Sequence, residues 1–124
     1  MSEEIDTARE HRIETEIIVD AYDKDERAMG WYYYLEGALK FPFLARCIIR
    51  RAISPLEVGD EIEVLGMALE EECQHEMFVT IPWEPWGKDG LAVPLSQLEL
   101  IHGEDQTKVA VEDWHYWVKK GYEF

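Results

Sequence analysis

The chain reads as an α+β protein, a small twisted SH3-like β-barrel or sheet carried between N-terminal helices and a C-terminal helix. Three observations predict it. Apolar residues recur at helical spacing up to about residue 40. After Pro42 they alternate instead, in four or five short runs separated by turns rich in Gly and Pro. Helical spacing then returns over the last 20 residues. At 124 residues the chain is one domain, 1–124, with residues 1 to about 8 forming a frayed, charged end.

Each element follows in order. Ile13, Ile17, Ile18, Ala21 and Tyr22 recur at spacings near four, which predicts a first helix. A second starts close to Asp23, because Asp23 with Glu26 three residues on fits a capping box. Met29, Tyr32, Leu35 and Leu39 are its expected apolar stripe, and it stops before Pro42. FPFLARCIIRR reads as a strand with Arg46 and Arg50 on one face, as partners for neighbouring carboxylates. Gly59-Asp60 makes a turn, and Ile62 and Val64 alternate after it. ALEEECQHE is a polar connection longer than a hairpin needs. In MFVTIPW, Met77, Val79, Ile81 and Trp83 share a side; EPWGKDG turns the chain into LAVPLSQLELI, where Pro94 marks an edge or a bend. In the final helix Val111, Trp114, Trp117 and Val118 lie on one face, with the two tryptophans expected to seal the bottom of the sheet. Lys119 and Lys120 suit the negative helix end, and Gly121 offers a stop.

Charge is the loudest feature. There are 27 acids against 12 bases, a net of −15. Self-repulsion of that size opposes a compact state, and bound cations relieve it. It disfavours nucleic acid, whose binders concentrate Lys and Arg, and it disfavours anionic membranes. Cys47 and Cys73 form no framework, and MSEEIDTAREHR has no apolar leader segment. No apolar run approaches the roughly 20 residues that span a bilayer. The expectation is a soluble cytoplasmic protein with reduced thiols.

Two acidic runs stand out. Asp20, Asp23, Asp25 and Glu26 crowd the entry to an aromatic block; they read as a helix cap with a solvated face, or as oxygen ligands for a hard cation such as calcium. They do not make an EF-hand, since counting from Asp23 puts Ala28 at the sixth position and Tyr34 at the twelfth. The second run is Glu70, Glu71, Glu72, Cys73, Gln74, His75 and Glu76. Like charges this dense repel unless solvent or a cation intervenes. A zinc site would need four N or S donors, and the remaining histidines show no matching spacing. No nucleophile elbow, phosphate loop or His-Glu-x-x-His is present, so an enzyme is not expected.

The stretches EIIVDAYDKDERAMGWYYYLEGALKFPF, EVLGMALEEEC and EDWHYWVKKGYEF resemble the small acidic bacterial calcium-binding proteins of the CcbP family, in the same order from Glu14 to Phe124. The resemblance implies a single α+β domain that binds Ca²⁺ through surface carboxylates and buffers the free ion in the cytosol. Among its acids it implies Asp20, Asp23 and Glu36 as one site, and Glu70, Glu71 and Glu72 as a second, weaker one. The rival reading is an acidic interaction module, or a nucleic-acid mimic, whose charge serves a basic protein partner.

Overall fold

The structure is a computed structural model and describes residues 7–18, 21, 23–82 and 90–120. Asp20, Tyr22, Trp83 and Gly121 lie outside them. Helix α1 (Thr7–Arg12) begins inside the stretch expected to fray and runs straight into a π-helical turn, Ile13–Ile17. The Ile18 N–H closes that turn on the Ile13 carbonyl at 3.0 Å, and Ala21 is no longer helical. The first helix therefore ends before the periodicity does. Ile13 and Ile17 still reach the core.

Helix α2 (Lys24–Ala38) starts where local chemistry dictates: extended Asp23 accepts the Glu26 N–H at 2.8 Å. Its buried face is Ala28, Trp31, Tyr32, Leu35 and Ala38, whereas Met29 is 46 % exposed. The stripe is thus rotated from the expected one toward Trp31.

The strands build two three-stranded antiparallel sheets. In the first, β1 (Phe43–Cys47) lies between β2 (Glu61–Val64) and β6 (Leu98–His102). In the second, β4 (Phe78–Ile81) lies between β3 (Gly66–Met67) and β5 (Leu91–Pro94). Of the SH3-like barrel or sheet expected, the described strands form two small sheets and not a closed barrel. Leu65 alone carries the chain from β2 to β3, and Pro94 with the 3₁₀ turn Leu95–Gln97 ends β5 and returns the chain to β6. Side chains alternate as the period requires. Phe43, Ala45 and Cys47 are buried while Leu44 and Arg46 face out, and Met77, Val79 and Ile81 are fully buried.

β1 stops at Cys47, so Arg50 lies beyond the strand and does not share its face with Arg46. Arg46 reaches Glu61 (3.6 Å) on one neighbouring strand and Glu99 (3.5 Å) on the other. Arg51 makes the firmer contact, a fork to both carboxylate oxygens of Glu76 at 2.8 and 3.2 Å.

Helix α3 (Asp105–Lys119) buries Val111, Trp114 and Trp117 but leaves Val118 40 % exposed. Trp114 and Trp117 belong to the same buried cluster as the inward residues of both sheets. Their rings meet Trp31 of α2 at 5.0 and 5.5 Å, the first edge-on, and seal one helix to the other. Beside them Asp113 is fully buried, accepts from Arg12 (2.8 Å) and the Tyr34 hydroxyl (2.7 Å), and is ion-paired with Arg9 (3.1 Å). All three helices meet at that carboxylate. Among the described residues no helix is long and apolar enough to cross a membrane.

Candidate metal centre

The second acidic run is shaped by what pins its ends. At its start, the Ala68 carbonyl accepts the Tyr32 hydroxyl at 2.7 Å, and the Ala68 N–H donates to Phe78 O at 3.1 Å. At its end, Arg51 grips Glu76. Between them Glu70–Cys73 wind into a 3₁₀ turn, with Cys73 buried and its sulfur accepting the Phe78 N–H at 3.4 Å. Burial pushes the Cys73 thiol up, which keeps it protonated and a poor metal ligand.

A 3₁₀ turn sends three successive side chains in three directions. Glu70 goes toward α2, where its Oε1 accepts the Tyr33 hydroxyl at 2.6 Å. Glu72 folds back to accept the Leu69 N–H at 3.3 Å. Glu71 faces solvent. The three glutamates expected to act together therefore point apart, and among the described residues Glu70 is the one that bonds to another element.

Between α2 and this turn lies a cavity of about 230 Å³. Asp25, Met29 and Tyr32 line it from the helix, and Glu70, Cys73 and Gln74 from the turn. The two acidic runs thus meet in space, through Asp25 and Glu70. Asp23 is largely committed elsewhere, one carboxylate oxygen being spent on the helix cap. Glu36 is exposed further along the same helix, and its charge, after burial itself, helps hold the Tyr32 phenol above its ordinary value. The Tyr33 phenol is also raised, first by its bond to Glu70 and further by the charges of Glu70 and Glu36. Asp20 lies outside the described residues.

Glu36 and Glu70, assigned to different sites, both act on Tyr33, and Asp25, left out of the expected ligand set, faces the cavity. The signal for Asp25 was in the sequence. Asp25, Met29, Tyr33 and Glu36 fall at intervals of four, four and three, which is one face of a helix.

Among the described residues no three His, Cys, Asp or Glu side chains converge on a ready-made cage. What the cleft offers is a hard-donor set: carboxylates of Asp25 and Glu70, the Gln74 amide, and room for water. That set fits calcium, which accepts six to eight oxygens in flexible geometry, and does not fit zinc.

Comparison with known proteins agrees. No curated protein matches the chain. Two solved structures match over its whole length. The crystal structure of CcbP from Anabaena is 47% identical, with a TM-score of 0.85, covering 99% of this chain and 98% of the other. A calcium-binding protein in its calcium-binding form is 46% identical, with a TM-score of 0.82 and full coverage of both chains. Residues 11–118 match the CcbP family, described by calcium binding, and the chain belongs to that family.

Proposed function

We propose that this chain is a non-enzymatic cytosolic protein that binds and buffers Ca²⁺ through surface carboxylates outside any EF-hand. The observation that carries this reading is the meeting of Asp25 and Glu70 across one cleft, in a fold shared with a protein solved in its calcium-binding form. In this reading Glu70 is the principal ligand. Asp25 and Glu36 add charge from α2, Asp23 contributes its second oxygen, and Asp20 belongs to the same acidic segment. Glu71 and Glu72 act as a weaker outer pair.

The driving force is relief of repulsion. Two like charges about 4 Å apart cost roughly 1 kcal/mol in water and about 4 at an effective dielectric near 20. Several such terms rival a small domain's stability. A partly solvated cleft without a closed cage places the dissociation constant at roughly 10⁻⁶ to 10⁻⁴ M. Exposed charges also make binding weaken with salt over a screening length of about 8–10 Å.

Calorimetric titration of the full chain tests the reading. Expected are saturable calcium binding in that range, a Tm that rises with calcium and little with matched magnesium, and at least tenfold loss in Glu70→Gln. No heat and no Tm change up to millimolar calcium would overturn it. An equal magnesium response with a basic protein partner would favour the interaction module instead.

A further inference from the structure

We propose that Tyr33 is a positioning residue of the calcium site, holding Glu70 so that its second carboxylate oxygen faces the ion; this rests on Glu70 being a ligand. Tyr33 is 52 % exposed, so its ring is not placed there by core packing. It is nevertheless braced. Its ring meets Tyr32 edge-on at 5.8 Å and 82°, and Tyr32 is itself tied to the Ala68 carbonyl at 2.7 Å. From that support the hydroxyl donates to Glu70 Oε1 at 2.6 Å, in the short range of charge-assisted bonds. Among the described residues Glu70 accepts with one oxygen only, and the other faces a cation in this reading.

Two effects compete. A hydrogen bond draws negative charge off the carboxylate, which weakens a cation's grip. It also freezes a flexible side chain before the ion arrives, and ordering a glutamate on binding otherwise carries an entropic cost. A carboxylate has about four lone-pair sites and the phenol takes one, so the full negative charge and most acceptor sites remain. In that bond the phenol is the donor and the carboxylate the acceptor, so the proton stays on tyrosine. Positioning therefore wins, and removing the hydroxyl weakens calcium binding by roughly three- to tenfold.

The test is a double-mutant cycle on the full chain, using calcium alone as the probe. Tyr33→Phe, Glu70→Gln and the double variant are titrated by calorimetry, and the Tm of each calcium-free protein is recorded. Expected results are a three- to tenfold loss in Tyr33→Phe with the calcium-free Tm within about 2 °C of wild type, and a double variant no weaker than Glu70→Gln alone. A merely structural tyrosine would lower the calcium-free Tm or give penalties that add, and either overturns the inference. Wild-type affinity in Tyr33→Phe beside a weakened Glu70→Gln overturns it too, while leaving Glu70 a ligand. Undiminished binding in Glu70→Gln removes both.

Discussion

Asp113 shows how much one side chain organises. Its fully buried carboxylate is held by Arg12, Arg9 and Tyr34, so α1, α2 and α3 share a single anion. Breaking a buried pair by removing one partner usually costs about 3–5 kcal/mol; here Arg12 and Arg9 keep 30 % and 22 % of their side-chain surface in water, so Asp113→Ala should cost about 2–4 kcal/mol by urea unfolding. The same site sets an alkaline limit. Burial pushes the Tyr34 phenol well up, and its bond to Asp113 adds to the shift; burial also raises Tyr32. The unfolded phenols release protons near pH 10, before the folded ones. Above that pH the unfolded state holds fewer protons, and stability falls by up to about 1.4 kcal/mol per pH unit for each such group. Urea midpoints should hold to about pH 9, decline above about pH 10, and decline less in Tyr34→Phe. A flat profile to pH 11 in wild type would contradict this account.

Elements were legible wherever a local rule decides them. Asp23 capped α2 because capping needs only four consecutive residues, and Val79 and Ile81 took the buried side because alternation is a property of one strand. What local rules miss is where an element meets others. Nothing in the periodicity says that Leu65 switches sheets, or that Trp114 faces Trp31 eighty-three positions away. Helix α2 holds a sharp example in its two glycines. A Cβ on Gly30 would lie 2.5 Å from the Ile17 carbonyl, where the π turn crosses the helix, whereas one on Gly37 would meet nothing within 4 Å. Gly30→Ala must push a backbone aside and should lower the Tm. Gly37→Ala should raise stability by about 0.5–1 kcal/mol, the usual gain of alanine over glycine in a helix. Equal effects of the two changes, read by thermal unfolding, would show that the close approach is not there.

At the scale of the molecule, a net charge of −15 is gathered onto a fold that spends several acids structurally: Glu76 on Arg51, Asp113 on α1, Asp23 and Glu72 on backbone N–H groups. The excess charge was readable from composition, whereas calcium was implied by the resemblance to the CcbP family. The grouping of the acids was not legible, because Glu70 and Tyr33 lie 37 positions apart and meet only once α2 is laid against the 3₁₀ turn. What distinguishes Glu70 from its neighbours is therefore a tertiary contact. The most direct test is a crystal structure of the full chain grown with calcium. The account predicts an ion within about 2.3–2.6 Å of a Glu70 carboxylate oxygen, over the cleft between α2 and the turn, with Tyr33 still bonded to the other oxygen. Calcium bound elsewhere, with Glu70 facing only water, would contradict it.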